Sequence, residues 1–253
     1  MVNAITREIS PRFAECELTH IERIPIDLTI ARAQHCEYIK VLQELGCNVI
    51  ELPAEPDLPD SVFVEDTAII LPEVAVITRP GADSRKPETE SIVRALTPLI
   101  DLVHVHAPAT VDGGDVLVLG KRIYVGLSTR SNREAIQQLN ALLGGFGYSV
   151  TGVELHNCLH LKSAVTRVDG QTLLINQNYV DLAGFENFDF IEVDPSEPDA
   201  ANCLPIAGSI IFPIAFPKTR ARLEERGHNV VTVDVSELAK AEGAVTCCSL
   251  IVD

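Results

Sequence analysis

Side chains that could do chemistry together stand at comparable places along this 253-residue chain. Cys247 lies at the mouth of the terminal apolar run Gly243–Val252, His160 just ahead of Leu161–Val168, and Asp112 just ahead of Val116–Leu119. Asp60, Glu65 and Asp66 end a proline-rich loop that leads into Thr67–Leu71. A thiol, an imidazole and several carboxylates supply a nucleophile, an acid–base group and a set that can hold a cation. Each also has a bland reading, since free cysteine packs as a small hydrophobe and isolated acids ordinarily face water. Their shared position lifts them above that background.

The elements that must position them repeat. Ala4–Ile9 reads as a first strand, and Asp27 caps a helix to about Leu45, with Ala31, Ile39, Leu42 and Leu45 on one face and Gly46 at its end. Cys47–Leu52 is the strand that follows. Thr67–Leu71 and Val74–Thr78 then form a hairpin, Pro87 opens a helix to about Leu99, and Leu102–His106 returns as a strand. Val116–Leu119, Ile123–Val125, a helix from a Ser131/Glu134 capping box to Leu143, and Val150–Leu155 repeat that order. So do Leu161–Val168 and Leu173–Ile175 about Asp169-Gly170, a weakly signalled helix at Val180–Ala183, and Phe190–Val193. A fourth unit comprises Cys203–Ile206, Ile210–Pro213, a helix over Pro217–Arg226 and Val230–Val233. After a short helix, Ser236–Ala241, the terminal strand is expected to pair with the N-terminal one.

A hairpin–helix–strand pattern with a period of roughly 40–50 residues signals a radial or stacked repeat. Five such units, with the two termini sharing one, would close into a ring and protect the sheet edges. The expected architecture is α/β, a five-bladed propeller of ββαβ units, forming one domain over residues 1–253. In such a ring the starts of the first hairpin strands converge on the axis. Those starts are Glu65-Asp66, Gly114-Asp115, Leu161-Lys162, Ala201-Asn202 and Thr246-Cys247, with Asp112 and His160 just upstream in two units.

Composition narrows the partners. The chain is 46% hydrophobic and 22% charged, which is ordinary for a globular protein. Its formal net charge of -16 argues against nucleic acid, whose phosphates need clustered Lys and Arg, and favours a small cationic ligand. No apolar run approaches the roughly 18 residues that span a bilayer, so no membrane partner is expected. The first residues, Met1–Glu8, lack the pattern of a signal peptide. Seven cysteines without framework spacing suit a reducing compartment, and the expected location is cytoplasmic.

Six ordered stretches together resemble the dimethylarginine dimethylaminohydrolase family of the guanidine-modifying (pentein) superfamily. They are Pro59-Asp60-Ser61-Val62-Phe63-Val64-Glu65-Asp66, Thr78-Arg79-Pro80-Gly81-Ala82-Asp83-Ser84-Arg85, Val111-Asp112-Gly113-Gly114-Asp115, Leu159-His160-Leu161-Lys162-Ser163, Ala200-Ala201-Asn202-Cys203 and Val245-Thr246-Cys247-Cys248-Ser249. The resemblance covers essentially the whole chain. It implies a five-bladed pentein propeller that hydrolyses Nω-methylated arginine to citrulline and a methylamine. By motif position it implies Cys247 as nucleophile, His160 as general acid and base, and Asp112 as the acidic partner of that histidine, where some members carry Glu. Asp60, Glu65 and Asp66 would help hold the substrate, and Arg85 and Arg130 would hold its α-carboxylate. The backbone carbonyls of Leu18 and Ala241 would receive its α-amino group, Ala241 replacing a larger aliphatic of relatives. Such chemistry requires no metal or organic cofactor. The small-molecule partner would be methylated arginine, and a homodimer is compatible with the chain. Free arginine, citrulline or another guanidino compound remain as alternative substrates, and a non-catalytic propeller scaffold as an alternative class.

Other motifs carry less. His104 and His106 lie on one strand face and could pair on a metal, but no third ligand is near in sequence. Cys247 and His160 could together capture zinc, which would inhibit. Gly144-Gly145-Phe146-Gly147 follows a helix instead of opening one, so it reads as a helix stop and not a nucleotide loop. Cys248, next to Cys247 on an expected strand, should point to the opposite face and be structural.

Overall fold

A computed structural model describes residues 2–252. The chain begins with β1 (Asn3–Arg7), α1 (Leu28–Glu44) and β2 (Asn48–Leu52). Asp27 caps α1 by accepting the Thr29 and Ile30 N–H groups, and Gly46 follows it at φ +87°. Next come β3 (Ala68–Ile70), β4 (Ala75–Ile77), α2 (Thr89–Leu96) and β5 (Leu102–His104). The third group is β6 (Val116–Leu119), β7 (Arg122–Leu127), α3 (Arg133–Leu143) and β8 (Ser149–Glu154). Then follow α4 (Leu161–Ala164), β9 (Val165–Arg167), β10 (Thr172–Ile175) and β11 (Asp189–Glu192). The chain ends with β12 (Leu204–Ile206), β13 (Ser209–Pro213), α5 (Pro217–Glu225), β14 (Asn229–Val233), α6 (Ser236–Ala239) and β15 (Leu250–Val252).

These strands form five three-stranded sheets with one topology: a first strand antiparallel to a second, and the second parallel to a third. The fifth sheet, β15-β1-β2, joins the two ends of the chain, with Asn3 opposite Val252 and Ile5 opposite Leu250. All five first strands line one cavity, and β15 meets β3 while β9 meets both β6 and β12. The first strands therefore surround the axis of a five-bladed α/β propeller.

Packing explains why the middle strands carry continuous apolar stretches. Five core clusters lie between consecutive blades, so each middle strand feeds two of them by alternation. In β10, Leu173 and Ile175 face the cluster holding Tyr124 and Phe185, while Leu174 faces the one holding Phe212 and Leu223. In β1, Ala4 packs with Tyr38 and Leu42, whereas Ile5 packs with Ile92 and Leu96. A strand buried on both faces reads as a continuous hydrophobic run, which is what the sequence displays.

Several local expectations change. Ser131 does not cap α3; Asn132 does, accepting the Ala135 N–H, while the Ser131 hydroxyl donates to Asp115. Pro87 sits inside a 3-10 turn, Asp83–Glu88, ahead of α2. No helix forms at Val180–Ala183, where Val180 makes an isolated bridge to Leu155. Cys247 and Cys248 lie in a turn over residues 245–248, not in the strand, which begins only at Leu250. Among the described residues, no helix is long and apolar enough to cross a membrane.

Candidate active site

The candidate groups sit in the short turns that deliver the chain into each first strand. A 3-10 turn, Val64–Thr67, carries Glu65 and Asp66; another, Gly113–Asp115, follows Asp112; His160 immediately precedes α4; Cys247 lies in the turn before β15. Tight turns at these places free the side chains from the sheet and point several of them at one end of the axis. A small cavity of about 20 Å³ there is lined by Asp60, Asp66, Arg85, Arg130, His160 and Cys247, among others.

His160 is fixed from both sides. Its Nε2 lies 3.2 Å from Asp112 Oδ2, and its Nδ1 lies 3.9 Å from Asp66 Oδ1. Asp112 is held in turn by the Gly81 N–H, which donates to its Oδ1, and by the Ser131 hydroxyl oxygen, which accepts its own backbone N–H. Asp115 lies behind the histidine, accepting the Leu161 N–H at 3.0 Å and the hydroxyls of Ser128 and Ser131 at 2.6 Å. Asp66 accepts the Gly114 N–H at 2.9 Å. A Cβ on Gly114 would come within 2.6 Å of His160 Nδ1 and 2.8 Å of Asp66 Oδ1, so the Gly113-Gly114 pair lets the backbone pass between base and acid.

The electrostatics follow from burial among opposed charges. Burial alone would lower His160, but Asp66, the Asp112 hydrogen bond and Asp115 outweigh it and raise the imidazole to about 9. Asp66, penalised by burial, is nonetheless held down to about 2 by His160, Arg85 and the Gly114 N–H. Asp115 is pushed up to about 6 by burial. The Cys247 thiol is pushed well above its usual range, first by burial and then by the charges of Glu65 and Asp66. Burial and the acidic neighbours thus hold the Cys247 thiol toward its neutral form and the His160 imidazole toward its protonated one.

Of the expected substrate contacts, Arg85 borders the small cavity, while Glu65 and Leu18 do not. Arg85 is 4% exposed and its guanidinium is committed inward, to Asp66 at 2.5 Å, Glu88 at 2.8 Å and the carbonyls of Asp60 and Phe63. It braces Asp66 from the wall of the small cavity. Glu65 is likewise spent, on Lys162 and the Thr246 hydroxyl, and it borders the larger cavity on the far side of the axis. Leu18 is half-buried against the core and does not border the small cavity, whereas Ala241 does. Arg130 is the looser arginine at the cavity, with Thr19 Oγ1 at 3.1 Å and Asp112 Oδ2 at 3.8 Å. Asp60 accepts the Glu17 N–H and is raised by burial against the pull of Arg85.

Sequence reasoning passed over the groups that close this end. Glu242, at φ +58°, accepts the N–H groups of Thr19 and His20 and so ties the segment bearing Glu17 and Leu18 over the cavity. A lone acid after Ala241 gives no pattern by which to find it. Cys248 is fully buried with its Sγ toward the Ala244 carbonyl, so it is separated from the cavity by the turn and not by strand alternation.

Donor atoms of Asp66, Asp112 and His160 lie within 4.8 Å of one another and could in principle hold a metal. Every one of these residues is already engaged by Arg85, Gly114, Gly81 or one another, so an ion would have to displace existing bonds. The paired imidazoles of His104 and His106 stack at 6.3 Å on the exterior.

The description "N,N dimethylarginine dimethylhydrolase, eukaryotic" belongs to a family model that matches residues 20–175. Two bacterial relatives named N(G),N(G)-dimethylarginine dimethylaminohydrolase match most of the chain. The one from Streptomyces coelicolor is 39% identical, covering 98% of this chain and 95% of its own length. The one from Pseudomonas aeruginosa is 37% identical, covering 88% and 89%. This chain belongs to the dimethylarginine dimethylaminohydrolase family. The solved structure of a mutant of the Pseudomonas aeruginosa dimethylarginine dimethylaminohydrolase in complex with citrulline superposes with a TM-score of 0.93 at 34% identity, covering 98% of each chain.

Proposed function

We propose that this chain hydrolyses Nω-methylated L-arginine to L-citrulline and a methylamine. Cys247 is the nucleophile, His160 the general acid and then base, and Asp112 the group that orients the imidazole. The observation that carries the reading is the one small cavity bordered by Cys247, His160 and Asp66, in a chain whose family relatives bear that activity in their names.

The resting charges suit a cationic substrate. A guanidinium settling against Asp66 and Asp60 offsets the negative charges that hold the Cys247 proton, so binding itself favours the thiolate. The thiolate attacks the guanidinium carbon and forms a C–S bond. With Nε2 held by Asp112, the Nδ1 edge of His160 faces Asp66 and is the nitrogen left to protonate the departing methylamine as the C–N bond breaks. The neutral imidazole then takes a proton from water, which adds to the thiouronium carbon; the C–S bond breaks and citrulline leaves. One water is consumed and one amine released. Arg130 receives the substrate α-carboxylate, and the carbonyls at Leu18 and Ala241 receive the α-amino group once the Glu242-tied segment shifts. We read the chain as one catalytic unit of the cytoplasm, able to act as a monomer or a homodimer.

Release of citrulline and amine from asymmetric dimethylarginine, monomethylarginine and arginine, beside Cys247→Ser, tests this. Faster turnover of the methylated substrates, abolished by Cys247→Ser, is expected. Preference for arginine would change the substrate and keep the mechanism; activity surviving in Cys247→Ser would overturn the mechanism.

A further inference from the structure

Next to the small cavity, largely on the wall of the larger one, lies a polar layer to which every blade contributes. Glu65, from the β3 blade, spans it: Lys162 Nζ donates to its Oε1 at 2.6 Å and Thr246 Oγ1 to its Oε2 at 2.7 Å. Lys162, from the β9 blade, also donates to the Gly113 carbonyl of the β6 blade at 3.1 Å. Asn202, from the β12 blade, sends Nδ2 to the Lys162 carbonyl at 3.1 Å and to Thr246 Oγ1 at 3.0 Å, while its Oδ1 accepts the Thr246 N–H at 3.1 Å. Thr246, from the β15 blade, immediately precedes Cys247, whose own carbonyl accepts the Glu65 N–H at 3.1 Å.

Cys247 needs such help. It sits in a turn, outside any strand ladder, and its own N–H reaches only the Ala244 carbonyl at 3.3 Å. The layer grips the backbone on both sides of it, through the Thr246 N–H and through the Cys247 carbonyl. Elsewhere the blades pack with apolar clusters, so a layer needed only for filling could be apolar too. A buried network in which Glu65, Lys162, Asn202 and Thr246 satisfy one another instead specifies one geometry.

We infer that Asn202 and Thr246 are positioning residues for the nucleophile: with Glu65 and Lys162 they clamp the turn around Cys247 and aim its thiol at the guanidinium carbon. The inference rests on Cys247 being the nucleophile. Misaiming a reacting atom by about 1 Å costs on the order of 100-fold in rate, whereas substrate affinity depends on groups outside this layer.

The test measures kcat, KM and thermal unfolding for Thr246→Val, Thr246→Ser and Asn202→Ala, with Cys247→Ser beside them. Thr246→Val keeps shape and backbone N–H but removes the hydroxyl; it should lower kcat about 100-fold with KM within about threefold. Thr246→Ser should recover kcat to within about fivefold, and folded Asn202→Ala should repeat the valine's split between kcat and KM. Folded Thr246→Val or Asn202→Ala turning over within about twofold of the parent would overturn the inference, as would a serine variant no better than the valine. Turnover persisting in Cys247→Ser would instead overturn the nucleophile on which it rests, so the two failures are told apart.

Discussion

The two cavities on the propeller axis divide volume from chemistry. The larger holds about 610 Å³ among all five first strands, and it has a thiol on its wall, Cys203. That thiol is pushed up to about 12 by burial, hydrogen-bonds Thr166 at 3.2 Å and has no imidazole among the residues lining the cavity. Both of its carboxylates are paired with lysines on its wall, Glu65 with Lys162 and Glu73 with Lys121. The smaller cavity holds about 20 Å³, room for about one water molecule, yet it gathers a thiol, a protonated imidazole and carboxylates. What distinguishes a reactive cysteine here is not space but an acid–base partner whose own orientation is fixed.

Removing the charge that organises the small site should have the largest effect. Asp66→Asn weakens the hold on Arg85, His160 and the incoming guanidinium together, and should lower kcat/KM by about 10³-fold. Steady-state kinetics on folded protein checks it; a loss under tenfold would mean that Asp66 is structural only. Arg85→Met should act on stability, because it leaves Glu88 buried without a partner and takes the guanidinium from Asp66. Breaking such a pair costs about 3–5 kcal/mol, or on the order of 10 °C in Tm for a chain of this size. Calorimetry showing an unchanged Tm, with weakened binding of amino-acid substrates, would return Arg85 to the substrate carboxylate.

The protonated imidazole makes a prediction about pH. His160 is raised above its ordinary 6.5 to about 9, so its stabilising contribution is fully present below about 6.5 and is lost as pH rises through about 9. The excess Tm of the parent over His160→Asn should therefore shrink between pH 7 and 10. Over the same range kcat/KM should fall as the general acid loses its proton. A Tm difference independent of pH would contradict the charge assigned to His160. The smallest effect belongs to the other cavity, where Cys203→Ser should leave turnover within about twofold. A large loss there would erase the contrast between the two thiols.

Much of the frame was legible because it follows from periodicity. Continuous apolar runs such as Leu173–Ile175, separated by turn signals, reveal strands buried on both faces, and the shared terminal sheet follows once five units are counted. The site was legible where motif residues head those strands, as with Asp112, His160 and Cys247. What escaped depends on side-chain choices that spacing does not encode. Ser131 and Asn132 are both good caps, and only the nearby Asp115 draws the serine away. Arg85 borders the small cavity as its motif implies, but its tie to Glu88, one helical turn on, is a side-chain choice the motif does not encode. The hold of Glu242 on Thr19 and His20 spans more than two hundred residues and leaves no local trace.

The most direct test of chemistry at the small cavity is rapid acid quenching during turnover of dimethylarginine, followed by peptide mass spectrometry. A covalent adduct carrying the substrate carbon on Cys247, with Cys203 and Cys248 unmodified, is the result expected. An adduct on either of the other cysteines would contradict the account, as would steady turnover by Cys247→Ser.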